Sequence, residues 1–209
     1  MSHSFQKIGP FRNLLIAGPL HSGKRLIARA LGDPFVHIET DYLILALQRA
    51  FPKTGVGRAG AAYGDLCGAF LPFLCAYAAE LAADRTTRYV LDCHYIRPHD
   101  SLTLPGSLRT VFVGYPEIST QEKIRQIRDS GQKHCDTNPM SEEQLEACVS
   151  SWIEQSRHFR EDCNQLGIPF FDTSRGIEEC LTYLKRQAAG TAASTTAGGK
   201  HASTPRRAI

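Results

Sequence analysis

No two of the seven cysteines (67, 75, 93, 135, 148, 163 and 180) stand in a CxxC spacing, and none pairs with histidine at zinc-finger spacing. An odd, scattered set excludes a disulfide framework and predicts reduced thiols in a cytoplasmic setting. The opening stretch, MSHSFQKIGPF, lacks the apolar core of a secretion signal, which points the same way. Long hydrophobic runs are missing too. The greasiest segment, residues 66–79, covers 14 positions between Asp65 and Glu80 and contains Pro72. A bilayer span needs about 20 apolar residues, so a buried helix is expected there and no membrane partner. Strong charge of one sign is also absent. The formal net charge of +3 is matched by Lys200, Arg206 and Arg207 in the acid-free stretch 188–209, which leaves residues 1–187 neutral. A neutral body gives no electrostatic case for nucleic acid as the main ligand. There is no internal repeat, and nothing sets an oligomeric state.

What is present is a chain of 209 residues with 42% apolar and 22% charged side chains, the size and composition of one globular domain. Residues 188–209 are low-complexity Ala, Thr, Gly and Ser with basic punctuation, and are expected to be a disordered tail behind a domain of residues 1–187. Within that domain, short and nearly continuous apolar runs occur at 13–17, 35–38, 89–93, 110–114 and 168–172. Strands covered on both faces by helices have this pattern. Helical patterns lie between them: after Gly23 up to Gly32-Asp33-Pro34, from Asp41 to before Pro52, from 63 to 84 with a kink or restart at Pro72, from 119 to 129, and from 141 to 165. The segment 141–165 opens on a capping box, Ser141-Glu142-Glu143-Gln144, and a last helical stripe carries Ile177, Cys180, Leu181 and Leu184. Alternation of strand and helix predicts an α/β fold with a parallel sheet and ligands at the carboxyl ends of its strands.

After the first strand stands Gly18-Pro19-Leu20-His21-Ser22-Gly23-Lys24-Arg25, the G-x-x-x-x-G-K frame of a phosphate-binding loop. Glycines let backbone N–H groups face an anion, the following helix adds its positive end, and Lys24 supplies a mobile charge for β- and γ-phosphates. The bare frame arises by chance in about 6% of chains this long. Its place between a buried strand and a helix is the context that gives it meaning. Arg25 replaces the hydroxyl residue that usually completes the motif, and is expected to lie along the helix toward solvent or to touch phosphate. His21 is taken as a tolerated variable position.

On that loop, on Gly-Tyr-Pro at 114–116, on Lys123-Ile-Arg-Gln-Ile-Arg128 and on Phe171-Asp172-Thr173-Ser174, the chain resembles P-loop kinases of the adenylate kinase and small-molecule kinase group over roughly residues 12–187. Its second half also resembles bacterial adenylate-kinase-like ATP-binding proteins. The resemblance implies a three-layer fold with a five-stranded parallel sheet in the order 2-3-1-4-5. It implies ATP (or GTP) across the loop, Mg²⁺ as the metal, and transfer of a γ-phosphoryl group to a hydroxyl or monophosphate of a small molecule. Nucleoside monophosphate kinases commonly lack the final hydroxyl as well, so Arg25 leaves catalysis open. It also leaves open an ATP-binding switch or accessory protein with little turnover.

The same resemblance distributes roles. Asp41 would orient the acceptor or take its proton, or simply cap a helix. Asp92, ending an apolar strand, would lie beside Mg²⁺, or bond to a neighbouring loop. Arg97 and Arg58 are candidate acceptor contacts. Arg128, favoured over Arg125, would close a lid at about 125–140 over the transferring phosphoryl, or belong to a solvated basic face. Thr173, in the loop after the fifth strand, would meet the nucleotide base or cap the last helix. The helix 63–84 lines an apolar acceptor pocket or packs in the core. His134 and Cys135 alone do not make a zinc site.

Overall fold

The computed structural model describes residues 11–129 and 140–196. Its first strand, β1 (Asn13–Ala17), is buried at every position, which requires sheet on both sides and helices on both faces. Five parallel strands supply this: β1 with β2 (Phe35–Glu39), β3 (Arg88–Cys93), β4 (Leu108–Gly114) and β5 (Phe170–Asp172), in the order β2-β3-β1-β4-β5. The order is the expected one. Glu39 lies beside Asp92, Asp92 beside Ile16, and Gly114 beside Asp172, so the carboxyl ends of all the strands meet at one edge.

Among the described residues seven α-helices connect them: α1 (Lys24–Leu31), α2 (Thr40–Ala50), α3 (Tyr63–Ala83), α4 (Pro98–Ser101), α5 (Thr120–Asp129), α6 (Glu142–Leu166) and α7 (Glu178–Thr196). Successive strand side chains point to opposite faces, and the core divides accordingly. Leu15, Leu91 and Phe112 pack with Phe70 and Leu74 of α3 and with Phe159 and Cys163 of α6. On the other face Leu14, Ile16, Val90, Val111 and Val113 pack with Ile27 of α1 and with Cys180 and Leu184 of α7. A separate small cluster of Tyr115, Ile118, Leu145, Val149 and Ile153 joins α5 to α6.

Three expectations need correcting. The helix 63–83 runs through Pro72 without a restart. Pro72 sits on its exposed side, and the residue four positions earlier is the exposed Gly68, which has no side chain to obstruct the ring and leaves its carbonyl open to water. This helix is long and apolar enough to cross a membrane by length and composition. In the fold it is half-buried rather than buried, with Cys67, Phe70, Leu74 and Ala78 facing the sheet. Finally, α7 continues to Thr196, so the boundary drawn at 187 falls inside a helix; its alanines favour helix where low complexity had suggested disorder. Residues 197–209, with the basic side chains of the tail, lie outside the described residues. The six described cysteines are free thiols, four of them in the core, with Cys75 and Cys148 partly exposed.

Candidate active site at the carboxyl edge of the sheet

The loop after β1 begins at Gly18, where φ is 151° and a Cβ would stand 2.0 Å from the carbonyl oxygen of Val113. Only glycine lets the backbone leave the sheet so close to β4. The chain then turns through His21 and Gly23, both at positive φ, and enters α1 at Lys24. Neighbouring elements fix the turn. Tyr115 Oη donates to the Leu20 carbonyl at 2.6 Å, and Lys123 Nζ to the His21 carbonyl at 2.7 Å. Thr173 Oγ1 lies 3.0 Å from the carbonyls of Ser22 and Gly114. Inside the loop, Ser22 Oγ donates to the Pro19 carbonyl at 2.8 Å, and Lys24 Nζ reaches the same carbonyl at 2.6 Å.

Leu20, His21, Ser22, Gly23, Lys24 and Arg25 line one wall of a cavity of about 1020 Å³. Gly18 and Pro19 do not line it. Burial holds the Lys24 ammonium below the usual lysine range, against the pull of Asp92 and Asp41. His21 is held neutral: burial, then the charges of Lys123 and Lys24, lower its pKa to about 4.

Asp92 and Asp41 share this cavity. Asp92 is buried at 3% exposure; its Oδ2 is 2.7 Å from His37 Nε2, and its backbone carbonyl accepts from Thr40 Oγ1 at 2.8 Å. Asp41 opens α2 and has His94 Nδ1 at 3.2 Å from its Oδ1. Burial alone would raise the Asp41 carboxyl, but the hydrogen bond and charge of His94, together with Lys24 and Arg25, outweigh it and keep the group below the usual carboxylate value. Arg25 does not run out to solvent. Its Nη2 meets Glu39 Oε2 at 2.8 Å and approaches Asp41 Oδ2 at 3.8 Å. Around these charges stand Tyr42, Leu45 and Leu26, large apolar side chains left exposed in the cavity wall.

Other predicted site residues fall elsewhere. Arg58 is exposed and off the cavity. Arg97 is tied by Nε and Nη2 to the Asp100 carboxylate at 2.7 and 2.9 Å, capping α4. Arg128 is exposed with Nη2 at 2.9 Å from Glu142 Oε1, while Arg125 pairs with Glu122; neither lines the cavity. The proposed lid lies largely outside the described residues, His134 and Cys135 included. Thr173 does line the cavity and also latches the loop. His94, His37, Tyr115 and Trp152 stand at or beside the site without any motif that marks them for it. Lys123 belongs to a basic run whose helical spacing does not distinguish it from its outward neighbours Arg125 and Arg128.

Among the described residues no group of three or more His, Cys, Asp or Glu side chains is arranged to hold a metal ion. Asp92 and Asp41 together suit a magnesium ion held by one or two carboxylates, by phosphate oxygens and by water, and do not suit a closed protein cage.

No protein-family profile matches the chain, and no curated protein matches it in sequence. Solved structures do match in fold. A gluconokinase from Sinorhizobium meliloti 1021 superposes with a TM-score of 0.53 at 16% identity, over 92% of this chain and 99% of its own. A shikimate kinase from Bacteroides thetaiotaomicron gives 0.51 at 17% identity, over 83% of this chain and 96% of its own. The chain shares the fold of these two structures.

Proposed function

We propose that the protein is a nucleoside-triphosphate-dependent phosphotransferase acting on a hydroxyl group of a small molecule. The observation that carries this is the meeting of a buried loop lysine with two carboxylates across one cavity at the sheet's carboxyl edge. The shared fold with structures named gluconokinase and shikimate kinase accords with it.

ATP (or GTP) is the donor. Lys24, released from the Pro19 carbonyl, and the N–H groups at the start of α1 hold its phosphates. Magnesium, when bound, neutralises charge on the phosphate oxygens, with Asp92 the carboxylate closest in role. Asp41 orients the acceptor hydroxyl and takes its proton as the acceptor O–Pγ bond forms. The bond between Pγ and the bridging oxygen breaks, and the diphosphate leaves with that electron pair. His94 positions Asp41. A hydroxyl acceptor is favoured over a phosphate because Arg58 and Arg97 lie off the cavity and Arg25 is already matched by Glu39.

A second reading, an ATP-binding accessory protein with little turnover, draws on Arg25 standing where a hydroxyl usually meets magnesium. Two measurements separate the readings. A nucleotide at about 100 times its Kd stabilises the fold by about 2.7 kcal/mol, read as a thermal shift that Lys24→Ala removes. Diphosphate release is then followed by a coupled assay across neutral alcohols, sugars and sugar acids. Release that depends on an acceptor, and is lost in Asp41→Asn, is the expected result. Binding without such release leaves the accessory reading standing, and absence of any nucleotide shift removes both.

A further inference from the structure

Lys123 is an unusual lysine. It lies on the first turns of α5 at 6% exposure, with its ammonium 4.0 Å from the centroid of the Tyr115 ring and donating to the His21 carbonyl at 2.7 Å. Among the described residues it has no carboxylate within ion-pair distance. Taking an ammonium out of water costs several kcal/mol unless an anion offsets it, and a ring face with one carbonyl is meagre compensation. Lys24, on the other side of His21, is buried as well; its ammonium bonds to Pro19 O and Ser22 Oγ and feels the charges of Asp92 and Asp41 across the cavity. The two ammonium groups repel each other across the loop, and both line the cavity. Two buried ammonium groups converging on one backbone turn, with no carboxylate acting on Lys123, define a site for an anionic ligand.

We propose that Lys123 is a second phosphate-binding lysine, gripping the triphosphate from the α5 side of the loop while Lys24 holds it from the α1 side. The inference rests on the nucleotide reading above. On binding, the ammonium exchanges the His21 carbonyl for a phosphate oxygen, and because Tyr115 still holds Leu20 the loop keeps its shape.

The test is calorimetric titration of ATP into wild type, Lys123→Met and Lys123→Arg. A charge-assisted hydrogen bond contributes about 1.5–3 kcal/mol, so Lys123→Met is expected to weaken ATP about 10- to 100-fold, with Lys123→Arg recovering most of the loss. A proton count gives an independent readout. Burial, then the charge of Lys24, lowers the Lys123 pKa to about 8. Among the described residues the titratable or charged groups around it are Lys24 and the neutral His21 on the loop, Tyr115 after β4, and Glu122 beside it on α5, while Trp152 of α6 carries no charge. Phosphate raises that pKa again. At pH 8.5 wild type should therefore take up about 0.7 proton more per ATP than Lys123→Arg, which is charged at every pH. This comparison carries the test should the Met variant fail to fold. Equal ATP affinity in wild type and Lys123→Met, or equal proton uptake in wild type and Lys123→Arg, overturns the assignment alone. A wild type that takes up no triphosphate overturns it together with the nucleotide reading.

Discussion

His21 occupies the middle of the loop with a φ of 57° and its ring 5.3 Å from that of Trp152. Only Asn, Asp and His tolerate such backbone with any frequency apart from glycine, so a position that looked freely variable in sequence is constrained twice, by backbone and by ring. Its titration has a sign that can be worked out. The folded pKa, about 4, lies below the unfolded value near 6.5. The unfolded chain therefore binds a proton first as pH falls, and stability drops from about pH 6.5 down to about pH 4. At pH 5 that amounts to about 2 kcal/mol. Urea denaturation of His21→Asn, which keeps the backbone preference without the titration, should lose about that much less between pH 7 and pH 5 than wild type. Equal losses in the two proteins would assign the acid sensitivity to other groups.

The tripeptide Gly114-Tyr115-Pro116 enters the sequence reading only through the family resemblance; the packing of β4 against α6 supplies its physics. A Cβ on Gly114 would stand 3.0 Å from the Ser156 side chain, so glycine is what lets α6 lie this close to the strand. Ser156 Oγ accepts from the Tyr115 N–H at 3.2 Å and donates to the Trp152 carbonyl at 2.9 Å. Ser156→Ala would strand the buried Tyr115 N–H, and an expected loss of about 2 kcal/mol follows, measurable by urea denaturation. A loss below 0.5 kcal/mol would mean that water reaches the strand end. On α6, Leu145, Val149, Ile153, Phe159 and Cys163 are buried together with the polar Ser156, whose part could not be recognised because its partner is a backbone group forty-one residues away. The basic run on α5 meets a related difficulty. Spacing identifies which residues share a face but not which face meets the loop, and the face that does carries Lys123 rather than Arg125 and Arg128.

The strands and the loop were readable because buried parallel strands and a glycine-framed βα turn leave local marks, and the strand order followed from the resemblance alone, while the cavity wall facing the loop is assembled from α1, α2 and the turn after β3, segments that no short pattern joins. The same division shows in how the fold coheres. The two clusters flanking the sheet contain 15 and 12 buried residues, and the α5–α6 cluster only 5. Few buried apolar groups mean a low free energy of local opening. The small cluster is tied to the loop by the Tyr115 hydroxyl on Leu20 and the Lys123 ammonium on His21. A triphosphate bridging Lys24 and Lys123 would add a charged link between this outlying unit and the sheet. Hydrogen exchange should therefore find the amides of α5 opening more readily than those of β1 in the free protein. With ATP, exchange in α5 should slow by about tenfold or more, since opening would then break a contact of about 1.5–3 kcal/mol, while the far face of α3 changes little. In Lys123→Met the protection of α5 by ATP should disappear even at nucleotide concentrations that restore saturation. If α5 instead exchanges as slowly as β1 without nucleotide, the two parts open as one body and the bound phosphates have no such coupling to supply.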